Sequence, residues 1–121
     1  MKKVLVVEDN EANMYLIRFI LVNAGYQVVE AWDGAAGVKA VKEEKPDLIL
    51  MDMQLPVMDG YEATKKIRKL DEGKDIPIIA ITSYAMVGDR EKTLNAGCTG
   101  YLEKPINPET FLDQISKFLD A

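Results

Sequence analysis

The segment Asp47-Leu48-Ile49-Leu50-Met51-Asp52-Met53-Gln54-Leu55-Pro56 sets four apolar residues in a row, Leu48 to Met51, between two aspartates. An unbroken apolar run of this length predicts a short strand buried on both faces, as in the centre of a parallel sheet. The run ends on Asp52, and Pro56 followed by Asp59-Gly60 then turns the chain. Asp52 is therefore expected at the carboxyl end of an interior strand, the edge on which open α/β sheets form their ligand crevices. A lone aspartate there serves equally well as a local hydrogen-bond acceptor, so its neighbours in space must decide.

Outward from this strand the pattern repeats. Lys3–Val7 is a second strand, apolar from Val4 onward, ending on acids, Glu8 and Asp9. Asn10-Glu11 opens a helix to about Ala24, with Met14, Ile17 and Leu21 at helical spacing. Tyr26–Ala31 reads as a strand, and Asp33-Gly34 turns into a helix ending near Glu44. After Gly60 a helix carries Ala63, Ile67 and Leu70 on one face, up to the polar loop Asp71–Asp75. Pro77–Ile81 is a strand ending on Thr82-Ser83, followed by a weakly apolar helix from about Met86 to Ala96. Gly100–Leu102 is a short fifth strand before Glu103-Lys104-Pro105. Asn107 and Pro108 then cap a last helix with Phe111, Leu112, Ile115, Phe118 and Leu119 as its apolar stripe. Strands alternating with helices predict an α/β, (βα)5 three-layer sandwich around a five-stranded parallel sheet. Right-handed crossovers favour the flavodoxin-like order 2-1-3-4-5, in one domain spanning residues 1–121.

Composition narrows the function. The net charge is −5, so no basic face for direct nucleic-acid binding is expected. No apolar run approaches the ~20 residues of a spanning helix, so membrane contact is not expected. A lone cysteine, Cys98, fits a reducing cytoplasm and reads as a packed small residue. With no histidine, His-based catalysis and His metal sites are excluded. Trp32 is expected to pack beneath a loop, and Met51, Met53 and Met58 to serve packing.

In a parallel sheet all carboxyl ends share one edge, which gathers Glu8, Asp9, Asp52, Thr82 and Lys104. Carboxylates crowded together raise one another's pKa and call for a cation. Hard oxygen donors with open positions suit Mg2+, which prefers a phosphoryl group as a further ligand. Aspartate is a nucleophile for phosphoryl transfer, and a lysine would offset charge on the phosphoryl oxygens.

With these residues in place, the chain resembles, over essentially its full length, the receiver domains of bacterial two-component response regulators. The resemblance rests on Val4–Val7 with Glu8-Asp9-Asn10, Asp47–Met51 with Asp52, and Leu55-Pro56 with Met58-Asp59-Gly60. Ala80-Ile81-Thr82 and Tyr101-Leu102 with Lys104-Pro105 complete it. It implies that Asp52 is the phosphoacceptor and Asp9 a direct Mg2+ ligand, with Glu8 acting through water and Gln54 through its backbone carbonyl. Lys104 would pair with the phosphoryl oxygens, Thr82 and Tyr101 would form a hydroxyl-aromatic switch, and the Lys104–Pro105 bond would be cis. Ala85-Met86, Gly88-Asp89-Arg90 and Ala96-Gly97-Cys98 resemble stand-alone, single-domain regulators of the DivK type. Two positions depart from the common pattern: Ser83 stands where alanine is frequent, and Glu8 where a second aspartate is frequent.

The resemblance implies a cytoplasmic phosphorelay switch rather than a turnover enzyme. Its donor would be a sensor histidine kinase or histidine phosphotransferase. A downstream protein target would meet the face of the fourth helix, fifth strand and fifth helix, on a monomer or a phosphorylation-dependent dimer. Tyr84, near the mouth of the crevice, is expected to obstruct hydrolytic water and outweigh any water-orienting role of Gln54. Two alternatives compete. A small Mg2+-dependent phosphatase with an aspartyl nucleophile would want a second acid two residues after Asp52, where Gln54 stands. A vestigial interaction module would be expected to have lost an acid, Thr82 or Lys104, and all are present.

Overall fold

The computed structural model describes residues 2–83 and 87–119. Strands and helices alternate as β1 (Lys3–Val7), α1 (Glu11–Asn23), β2 (Gln27–Ala31), α2 (Gly34–Glu44), β3 (Leu48–Asp52) and α3 (Gly60–Arg68). A 3-10 turn at Asp71–Gly73 leads to β4 (Ile78–Thr82), α4 (Val87–Ala96), β5 (Gly100–Glu103) and α5 (Phe111–Leu119). The strands form one parallel sheet in the order β2-β1-β3-β4-β5, as the apolar runs predict.

Each central strand divides its side chains between two cores, because successive residues point to opposite faces. On one face Val4, Val6, Leu48, Leu50, Ile79 and Ile81 pack with Met14, Ile17 and Leu21 of α1 and Phe111 and Ile115 of α5. On the other, Leu5, Val7, Ile49, Met51, Ile78 and Ala80 meet Val41 of α2 and Ala63 and Ile67 of α3. β3 and β4 are buried along their whole length, which is why their sequences do not alternate.

Register carries the chemistry to one edge. Val7 pairs with both Ala31 and Met51, Asp52 with Ile81, and Thr82 with Glu103. Glu8, Asp52, Thr82 and Lys104 therefore end adjacent strands at one level. Three helices start under side-chain caps: Asn10, Asp33 and Asp59 each accept from the backbone N–H three residues on. Each cap is worth about 1 kcal/mol. Gly60, the first residue of α3, packs so close to the end of β3 that a Cβ there would collide with the Asp52 carbonyl oxygen. The turn beginning at Pro56 needs a glycine at that point to bring α3 under the strand.

The sequence reading departs from the structure at a few points. The last helix begins at Phe111 rather than at Asn107-Pro108. The Asn107 carbonyl accepts from the N–H of both Thr110 and Phe111, closing a turn first. Leu70 falls beyond α3, although it still packs on the second core. Trp32 is exposed rather than tucked beneath a loop. Tyr84 and Met86 lie outside the described residues.

Candidate functional site

The acidic edge is built by strand ends. The ladder of β1 carries on through Glu8, whose N–H donates to the Ala31 carbonyl at 3.0 Å, drawing the side chain inward. Glu8 and Asp52 are each 1% exposed, while Asp9, just before the cap of α1, stands open to solvent. Carboxylate oxygens of Glu8, Asp9 and Asp52 lie within 4.8 Å of one another. Lys104 crosses from the end of β5, donating from Nζ to Asp52 Oδ2 at 2.9 Å and to Glu8 Oε1 at 3.4 Å. Asn13, one turn into α1, donates to the same Glu8 oxygen at 3.2 Å. Among the described residues, Glu8 Oε2 is the one buried side-chain oxygen or nitrogen without a hydrogen-bond partner.

The electrostatics follow from this crowding. Burial, then the close, negatively charged carboxylate of Asp52, push the Glu8 carboxyl from 4.5 up to about 7, against the opposing pull of Lys104 and Asn13. Burial alone would lower the Lys104 ammonium, but its contacts with Asp52 and Glu8 outweigh that and hold its pKa above the usual lysine value. One lysine among three acids leaves net negative charge in a pocket of hard oxygen donors. The unpartnered Glu8 oxygen and this donor set fit a small divalent cation among Glu8, Asp9 and Asp52, on Glu8 directly or through water.

On the other side of Asp52, Oδ1 accepts from the Gln54 N–H at 2.9 Å. The Gln54 carboxamide continues to the end of β4. There it donates to the hydroxyl of fully buried Thr82 at 2.8 Å and accepts from the Ser83 N–H at 3.2 Å. The Lys104 N–H donates to the Thr82 carbonyl at 2.8 Å, and the Lys104–Pro105 peptide is cis.

Residues 4–116 match the response regulator receiver domain as a family. The chain belongs to the response regulator receiver family. This receiver is 42% identical to the polar-differentiation response regulator DivK of Brucella anthropi, over 98% of its own chain and 96% of the relative. Its fold superposes with a TM-score of 0.92 on the receiver domain of the sensor histidine kinase PA1611 from Pseudomonas aeruginosa, at 39% identity over 99% and 98% of the two chains. That protein holds a magnesium ion in its active-site cleft. The chemotaxis protein CheY4 of Vibrio cholerae is 34% identical with a TM-score of 0.94, over 98% and 99% of the two chains. This receiver is thus a DivK-like response regulator of the two-component type, a signalling switch by family.

Glu8, Asp9, Asp52, Gln54, Thr82 and Lys104 come together around one crevice in this receiver. Tyr101 lies on β5 opposite Ala80, partly buried against the second core, and lines a cavity with Pro105, Ile106 and Phe111. Cys98 is buried and within 3.8 Å of the Thr64 hydroxyl, a packing position. Two contacts escaped the sequence reading, Asn13 on Glu8 and the Gln54 side chain on Thr82. Asn13 follows its helix cap by one turn, which places it back over the end of β1. Nothing in the sequence announces the reach of Gln54.

Proposed function

We propose that this receiver takes a phosphoryl group from the phosphohistidine of a sensor kinase or histidine phosphotransferase onto Asp52. A carboxylate oxygen of Asp52 attacks phosphorus, the phosphorus–nitrogen bond breaks, and the imidazole leaves with the electron pair. The observation that carries this reading is the Asp52 carboxylate itself, buried yet held from two sides by Lys104 Nζ and the Gln54 N–H. Mg2+, bound by Asp9, Asp52 and the Gln54 backbone carbonyl with Glu8 acting through water, would supply a divalent charge that offsets the phosphoryl oxygens. Lys104 would move from Asp52 to a phosphoryl oxygen, a point charge already in reach.

Thr82 would then turn toward the phosphoryl group, Tyr101 would follow, and the face of α4, β5 and α5 would change for a downstream protein in the cytoplasm. The likeness to DivK over nearly the whole of both chains supports a role as a signalling switch. Incubation with acetyl phosphate and Mg2+ is expected to give one hydroxylamine-sensitive adduct by mass, absent from Asp52→Asn. An undiminished adduct on that variant would move the acceptor elsewhere.

A further inference from the structure

Gln54 joins two strand ends through its half-buried side chain. Its N–H is fixed on Asp52 Oδ1, and its carboxamide reaches the end of β4. Nε2 donates to Thr82 Oγ1 at 2.8 Å, and Oε1 accepts from the Ser83 N–H at 3.2 Å. These two contacts set the amide's orientation, since turning it over would face its NH2 with the Ser83 N–H, donor against donor. Phosphoryl transfer as set out above uses the Gln54 backbone alone, which leaves the side chain's contacts with Thr82 and Ser83 unused.

We propose that the Gln54 carboxamide is a latch that holds the Thr82-Ser83 turn in its resting position and so sets the threshold of the switch. It acts as a positioning residue, and the inference rests on Asp52 being the phosphoacceptor. A phosphoryl group brings three oxygens that only accept hydrogen bonds. Beyond Lys104 and the Gln54 N–H, donors along the crevice among the described residues include the Thr82 hydroxyl and the Ser83 N–H. The Ser83 N–H carries one proton and cannot serve Gln54 Oε1 and a phosphoryl oxygen equally. Thr82 receives from Gln54 at rest, so its movement toward Asp52 breaks a 2.8 Å bond unless the carboxamide travels with it. Two neutral hydrogen bonds lost together oppose switching on the order of tenfold in the equilibrium constant. If Gln54 merely filled the gap between β3 and β4, an apolar side chain of the same length would serve as well.

The test titrates beryllofluoride with Mg2+ into the wild type, Gln54→Ala and Gln54→Met, reading the Ser83 and Glu103 amides by NMR. Adduct formation from acetyl phosphate is followed separately by mass. Both substitutions are expected to shift the resting Ser83 amide and to lower the beryllofluoride midpoint about tenfold, Gln54→Met despite its retained bulk. A wild-type or raised midpoint in either variant overturns the latch. A wild type that forms no adduct and ignores beryllofluoride counts against Asp52 as acceptor instead. The resting Ser83 amide then decides alone, and its persistence unchanged in Gln54→Ala overturns the latch.

Discussion

Glu8 is buried with one oxygen unpartnered and with Asp52 beside it, and its carboxyl titrates near 7 instead of 4.5. Because the folded value lies above the unfolded one, the metal-free folded protein binds this proton more tightly. The resulting stability is complete below pH 4.5 and lost as pH rises through 7. At about 1.4 kcal/mol per unit the loss is on the order of 3 kcal/mol. Urea unfolding in chelator is expected to show that decline, and Glu8→Gln, fixed in the neutral shape, to flatten it. Equal slopes for the two proteins would show that Glu8 does not titrate in this way. Saturating Mg2+ should remove the decline, since a divalent charge favours the ionised carboxylates. At this scale much of the site is legible in the sequence, because a parallel sheet brings every strand's last residue to one edge. Asp52, Thr82 and Lys104 needed only the apolar runs before them to be placed. The Gln54 contact depends on how one flexible side chain crosses between strands, and no spacing rule encodes that.

Among the elements, the second half of the fold is tied together by Arg68 at the end of α3. Its guanidinium donates to the carbonyls of Gly97 at 2.9 Å, Gly73 at 2.8 Å and Ile76 at 2.6 Å, and to the Thr99 hydroxyl at 3.3 Å. One planar fork thus joins α3, the 3-10 turn, the approach to β4 and the exit of α4. Removing it leaves partly buried carbonyls without donors. Arg68→Ala is expected to lower unfolding free energy by roughly 2–4 kcal/mol. Arg68→Lys should recover less than half of that, because an ammonium cannot reach all these acceptors in one plane. Urea midpoints measure both, and full recovery by lysine would reduce the role of Arg68 to charge. Helix starts were legible at this scale from Asn10, Asp33 and Asp59, each a short polar residue whose own side chain makes the cap. The start of α5 was not, since the Asn107 carbonyl and side chain form a turn that competes with immediate helix. No local pattern marks Arg68, because its acceptors lie up to 31 positions away.

Over the whole molecule, these ties make α4 asymmetric. Its carboxyl end is held where Gly97 meets Arg68 and where the Cys98 N–H donates to the Thr93 carbonyl. In sequence, its amino end comes three intervening residues after Thr82-Ser83, which phosphorylation is proposed to move. α4 also has few apolar residues, so it offers little apolar surface to resist displacement. A phosphoryl group can bias such an element only by contacts that differ between the two states. One charge-assisted hydrogen bond to Thr82 and one ion pair to Lys104 suggest on the order of 2–4 kcal/mol, about 30- to 1000-fold in partner affinity. The change should therefore pivot, large at the amino end of α4 and small at Gly97–Thr99. Hydrogen exchange with beryllofluoride and Mg2+ bound is expected to alter the amides of Val87–Arg90 and of Tyr101–Glu103 while leaving Gly97–Thr99 nearly unchanged. Thr82→Ala should abolish that spread while still accepting a phosphoryl group at Asp52, because it keeps the acidic edge and Lys104. A response that moves Gly97–Thr99 as much as Val87–Arg90 would mean that Arg68 is no anchor. One centred on Glu11–Asn23 would place the output on the opposite side of the sheet.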